Sequence, residues 1–173
     1  MVEPETEVVE CDVLILGGGM AGCGAAYEAA YWAREYEAAA GAFGRFASEF
    51  PNHPRSAAVT MSLGWAELRR GRLLAARDRW TAVAQRFPTD ERTGEALLLA
   101  AELAGQSGDL ATAGDLLDQG LARSLTPPQL DVAQVNRAIV RLRVGRFEEA
   151  SAGVNELLSR APSSPYAGSA PLP

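Results

Sequence analysis

From residue 34 onward the apolar and small residues of this chain recur at a fixed interval. Gly71, Gly108 and Gly145 stand 37 residues apart (108 − 71 and 145 − 108), each followed by Arg or Asp and then by Leu73, Leu110 or Phe147. Ala39, Ala76, Ala113 and Ala150 keep the same interval, and Pro51, Pro88 and Pro162 fall on it with Leu125 in the vacant slot. Three kinds of marker in one register define an internal repeat, whose simplest content is a pair of antiparallel helices per unit. Glycine ends the first helix because it takes the left-handed terminal conformation at least cost. Alanine sits where helices approach closely, and proline stops the second helix. The spacing predicts helix pairs at about 55–88, 91–124 and 128–161, preceded by an unpaired second helix at about 35–50.

Upstream, Arg34 occupies the slot in which the repeat would place its glycine (71 − 37). Between Ala25 and Ala40 there is neither Pro nor Gly, and the residues are good helix formers. Tyr27, Tyr31, Ala39, Phe43, Phe46 and Phe50 give an apolar stripe, read as core packing. This predicts one continuous first helix over 21–50, roughly 45 Å long. The repeats as a whole are expected to span 21–161, and the Pro-, Ser-, Ala- and Gly-rich residues 162–173 to form a disordered tail.

The stretch from Gly71 through Ala76, Trp80, Val83 and Phe87 to Pro88 resembles the second helix of a tetratricopeptide repeat. Leu63-Gly64 is similar to that family's Leu-Gly pair in the first helix, and Gly145-Arg-Phe-Glu-Glu-Ala150, preceded by Asn136, is a second match. The resemblance implies an all-α solenoid of helical hairpins, with first-helix side chains presented on a concave face to a protein or peptide. Met61, Trp65, Glu102, Ile139 and Arg143 are the candidate partner contacts on that face. The chain departs from the family in unit length, which is about 34 residues there; the extra residues fall in the loops at 51–54 and 126–128. Glu67 and Arg141 also stand at first-helix positions that are often aromatic. In the unit spanning 93–125, Leu117 and Gly120 replace larger core residues, so this unit is expected to pack least tightly.

The N-terminus has a different pattern. Val8-Val9 and Val13-Leu14-Ile15-Leu16 form a short apolar run of the kind buried in a parallel sheet, which stops at Gly17. Gly17, Gly19 and Gly22 then spell G-x-G-x-x-G ahead of an alanine-rich helix, the order of parts in a dinucleotide-binding loop. Gly-Gly-Gly-Met-Ala-Gly-Cys-Gly-Ala-Ala-Tyr-Glu-Ala-Ala-Tyr-Trp-Ala resembles the start of the flavoprotein (alpha) subunit of adenylylsulfate reductase, over about residues 8–33. That resemblance implies FAD held at Gly17, Gly19 and Gly22 and a flavin-dependent oxidoreductase. A dinucleotide fold, however, needs a second strand ending in an acid about 20 residues beyond the glycines. Here those positions, around Glu37, read as helix. A helix N-terminus offers an anion about 0.3–1 kcal/mol, whereas micromolar affinity needs about 8. The loop alone is therefore not expected to hold FAD, and residues 1–20 are expected to be a poorly ordered strand-loop remnant. A fingerprint that runs without a linker into a repeat array has the character of a chimeric sequence.

Charge adds to the division. The first 33 residues carry six acids and no base, whereas all 16 basic residues, every one an Arg, follow from Arg34. Bases and acids are interspersed there, with no stripe suited to phosphates, so a nucleic-acid partner is not expected. No apolar run approaches the roughly 20 residues of a membrane span, and the acidic start is unlike a secretory signal. A cytoplasmic protein is expected. Cys11 and Cys23 read as unrelated thiols. His53, in Phe-Pro-Asn-His-Pro, reads as a turn residue, without a second metal ligand at useful spacing. No nucleophile-base pair is present, and Glu148-Glu149 lie adjacent on a predicted helix, where neighbours do not face each other. The sequence thus points to a non-catalytic interaction scaffold with no catalytic or metal-binding residues.

Overall fold

The computed structural model describes residues 34–162, 164 and 165. The expected strand-loop remnant with Gly17, Gly19 and Gly22, both cysteines, and nearly all of the C-terminal tail lie outside the described residues. Within them the chain is all α, with no strand. Seven helices follow one another: α1 (Tyr36–Glu49), α2 (Ser56–Arg69), α3 (Leu73–Arg86), α4 (Thr93–Gln106), α5 (Leu110–Leu121), α6 (Pro127–Arg143) and α7 (Phe147–Arg160). Each packs on the next, so α2–α3, α4–α5 and α6–α7 form three stacked hairpins with α1 against the first.

The repeating glycines end the first helix of every hairpin in one way. Gly71, Gly108 and Gly145 have φ of 75°, 83° and 80°. In the first turn the Gly71 N–H donates to the Leu68 carbonyl at 2.9 Å and the Arg72 N–H to the Glu67 carbonyl at 2.9 Å. Gly108 and Asp109 bond to Gly105 and Ala104 in the same pattern, as do Gly145 and Arg146 to Leu142 and Arg141. This Schellman closure satisfies carbonyls that the helix end would otherwise orphan, and it reverses the chain within two residues.

The expected continuous helix over 21–50 is interrupted within the described residues. Arg34, in the glycine slot, has φ of 63°, and Glu35 is non-helical at φ −82° and ψ 62°, so α1 begins only at Tyr36. Helix propensity favours continuity, but a left-handed residue at this register stops the helical run, and the preference it overrides is only a few tenths of a kcal/mol per residue. Arginine is a costly residue for the position, because a Cβ in the left-handed region is disfavoured by roughly 1–2 kcal/mol. Replacing Arg34 with glycine is therefore expected to raise stability by about 0.5–1 kcal/mol, after the greater entropy of unfolded glycine is deducted. Urea unfolding checks this; a loss of stability would show that the left-handed turn is not the relevant state.

A second set of periodic bonds ties successive units. The Ser56 hydroxyl donates to the Phe50 carbonyl and Thr93 to that of Phe87, both at 2.6 Å. The Arg86 guanidinium reaches the Pro51 carbonyl at 3.3 Å, and Arg123 that of Pro88 at 3.1 Å. Both pairs repeat at 37 residues (93 − 56; 123 − 86). α6 starts differently, on Pro127, with the Thr126 N–H donating to Gln129 Oε1 at 2.9 Å, an N-terminal cap.

Both helices of each hairpin contribute to the core. Ala39, Ala76, Ala113 and Ala150 are all at most 1 % exposed, which fits their place at close helix crossings. Phe43, Trp80, Leu117 and Val154 share one register and are all buried. The expectation that the 93–125 unit packs most loosely is not met. α4 and α5 lie closely together because Gly120 leaves room for its neighbour: an added Cβ would stand 2.9 Å from Leu98 Cδ2 and 3.5 Å from Leu97 Cβ. The small residue here is a point of close approach, and Leu98 fills the space a larger one would take.

Where the family often has aromatic residues, Glu67 and Arg141 are charged and paired. Glu67 is 7 % exposed and accepts both bonds of the Arg70 Nη1, each at 2.9 Å. Arg70 also pairs with Glu37 of α1. Arg141 lies 3.5 Å from Glu149 and 3.8 Å from Asp118.

Candidate partner-binding groove

The first helices α2, α4 and α6 lie on one side of the stack. α4 touches α6 directly, past the intervening α5, which makes this the inner side. Between those two helices opens a cavity of about 210 Å³. Its floor is apolar: Ala101 from α4, Leu117 from α5, and Val140 from α6, all buried. Ile139, 41 % exposed, forms one wall. The rim is polar and comes from α4 (Glu102, Gln106) and α6 (Asn136, Arg143). Helical spacing explains the set, since residues three and four apart share a face.

Of the five residues predicted to meet a partner, the structure brings Glu102, Ile139 and Arg143 together on this cavity. Met61 and Trp65 lie elsewhere, on α2. Met61 is 6 % exposed and packed in the main core, and its carbonyl accepts the Trp80 Nε1–H at 3.2 Å, so its role is packing. Trp65 is half-buried, edge-on to Trp80 with ring centres 5.1 Å apart. Gln106 and Asn136 were not among the predicted contacts. Their signal was available, for Gln106 lies four residues after Glu102 and Asn136 three before Ile139.

The rim charges are unequally satisfied. Gln106 Nε2 donates to Glu102 at 3.2 Å. Arg143 makes one long bond, 3.4 Å to the Gly105 carbonyl, and among the described residues no carboxylate lies within ion-pair distance of it. In a second cavity, of about 340 Å³ at the α5–α6 seam, Arg137 and Arg141 both face Asp118 at 3.4 and 3.8 Å. There both arginines have a carboxylate partner.

Other titratable groups play structural parts. The His53 Nδ1 accepts the Arg55 N–H at 3.1 Å in the turn between α1 and α2. Asp109 caps α5 through the Thr112 N–H at 3.2 Å, and bonds to Thr112 hold its carboxyl below the ordinary value of 3.8. Asp131 accepts from Ser164 at 2.6 Å and from Arg160, and these bonds, the serine first, lower its pKa as well. Both groups are thus held ionised by the fold, so their contribution is full above the unfolded value near pH 4 and is lost as pH falls through the lower folded values. Stability is expected to be level from neutral pH down to about 5 and to decline below 4, with a shallower decline in Asp109→Asn. Urea midpoints across that range test the sign.

Among the described residues no group of three or more His, Cys, Asp or Glu side chains could hold a metal ion, and no helix is long and apolar enough to cross a membrane. Glu37 stands near the distance from the glycines at which a nucleotide fold places its ribose acid. It lies in the first turn of α1 and pairs with Arg70.

No family model matches the chain, and no curated protein matches it. Solved structures do. The crystal structure of MamA superposes with a TM-score of 0.63 at 16 % identity, covering 79 % of this chain and 74 % of that one. A tetratricopeptide repeat protein from Parabacteroides merdae ATCC 43184 gives 0.69 at 17 % identity over 82 % of this chain. The fold is the tetratricopeptide-repeat solenoid. BtubC (BKLC) from P. vanneervenii gives 0.65 at 16 % identity over 88 %. The chain spans 53 % and 66 % of the last two structures. At such identities the likeness speaks for the solenoid's architecture and leaves its ligands open.

Proposed function

We propose that the chain is a non-catalytic, cytoplasmic protein-interaction scaffold that holds a segment of a partner protein along the inner faces of α2, α4 and α6. The observation that carries this reading is the cavity between α4 and α6, where Glu102, Ile139 and Arg143 converge over an apolar floor. Stacked hairpins commonly use that side, because each unit adds one first helix to a continuous surface. Trp65 extends the same surface on α2, and no nucleic acid or membrane is needed to account for it. The alternative, a fragment or chimera of an FAD-dependent oxidoreductase resembling the adenylylsulfate reductase alpha subunit, rests on the resemblance of residues 8–33, with Gly17, Gly19 and Gly22, alone. The helical position and ion pairing of Glu37 give it no support.

The test is a titration with purified partner. Ile139→Asp is expected to weaken binding at least about tenfold by placing a charge in the apolar wall. Leu74→Asp, on a second helix at a site 62 % exposed, should leave it unchanged. The reverse pattern would move the binding surface to the outer side and reject the proposal.

A further inference from the structure

We infer that the cavity between α4 and α6 recognises a peptide segment presenting an aliphatic side chain beside a carboxylate, the aliphatic group entering the cavity and the carboxylate pairing with Arg143. This rests on the scaffold reading and specifies its partner. Three observations point the same way. The cavity, about 210 Å³, is smaller than the roughly 300–1,000 Å³ of small-molecule pockets. It suits one side chain of a larger ligand.

Its floor selects which side chain. Leu117 and Val140 are 2 % and 9 % exposed and Ile139 projects beside them, so an aliphatic group would shed water against this floor and wall without losing a hydrogen bond. A polar group entering there would lose its water with only the rim residues to answer it.

Charge selects the neighbour. Glu102 accepts from Gln106, whereas Arg143, exposed and the one cation among the described lining residues, makes the 3.4 Å bond to a backbone carbonyl and has no carboxylate partner among the described residues. A guanidinium offers a planar fork of donors that matches a carboxylate in two parallel bonds. Asn136 and Gln106, on opposite rims, can bond both a peptide N–H and a peptide C=O. The site thus has an apolar socket, amide groups suited to backbone, and a guanidinium with no carboxylate partner among the described residues.

The experiment pans the whole 173-residue chain against a library of random dodecapeptides, then titrates the most enriched sequence by fluorescence polarisation. Enriched peptides are expected to place Asp or Glu within a few residues of Leu, Ile, Val or Met. Arg143→Gln should bind the chosen peptide about tenfold more weakly, the scale of a close charge pair. It should not discriminate between that peptide and its Asp→Asn or Glu→Gln analogue. Arg143→Lys should recover part of the preference, and unchanged thermal unfolding of both variants would exclude a folding defect. Aliphatic peptides without an acid, weakened by Ile139→Asp but not by Arg143→Gln, would overturn this inference and leave the scaffold reading standing. A library with no enriched sequence would count against both.

Discussion

Gly64→Ala is expected to destabilise the protein by about 2–3 kcal/mol, a large effect for a single added methyl group. The Cβ would stand 2.2 Å from Trp80 Nε1, 2.6 Å from Cδ1 and 2.8 Å from Cε2, separations that no relaxed structure holds. The indole has nowhere to go. It is 1 % exposed, its Nε1–H bonds the Met61 carbonyl, and its ring meets Trp65 edge to face. Either α2 and α3 separate or the indole loses its bond, and each route forfeits packing that a dense interior does not replace. Urea unfolding gives the number. Gly41→Ala is the control, since an added Cβ there meets nothing within 4 Å, and helix propensity should make it about 0.5–1 kcal/mol more stable. Equal effects at both sites would show that the clash is absorbed by small shifts.

The repeat supplies its own rescue. One period on, Ala101 and Leu117 stand where Gly64 and Trp80 do in the preceding unit (64 + 37; 80 + 37), and both are buried. Gly64→Ala combined with Trp80→Leu copies that pairing and should be more stable than the sum of the single changes predicts. Small-opposite-large is thus a constraint on the pair and can be met in more than one way.

That complementarity marks how far the sequence could be read. The glycine, alanine and proline intervals revealed the hairpins because each residue type answers a local demand: a left-handed turn, a close crossing, a helix stop. Arg34 shows the limit, since its side chain gives no sign of a left-handed backbone and only its register, one period before Gly71, does so. Gly120 shows another. A missing side chain looked like a missing contact, and the position of Leu98 across the helix pair was needed to see it as a close approach. In the groove, helical spacing placed Glu102, Ile139 and Arg143 on the inner side. It could not tell that the Met61 side chain belongs to the core, because an inner-face position near a hairpin's middle can point into either region.

Glu67→Ala is expected to cost about 3 kcal/mol, the scale of a buried ion pair broken on one side. The side chains of Glu67 and Arg70 are 10 % and 11 % exposed. The carboxylate takes both its bonds from Arg70 Nη1, while Arg70 Nε has no partner among the described residues. Removing Glu67 leaves a buried cation with Glu37, itself 79 % exposed, as its counter-charge. Added salt should change the wild-type value little, because a buried pair is poorly screened. The pair as a whole need not stabilise the fold. Glu67→Tyr with Arg70→Leu removes both charges and places at 67 the aromatic residue often found there in tetratricopeptide repeats; it is expected to match or exceed the wild type, as apolar replacements of buried pairs often do. If Glu67→Ala proved nearly neutral, water would have to reach Arg70 in solution. If the double change instead cost as much as the single one, the two charges would contribute more than their mutual neutralisation, through the contact they make with α1.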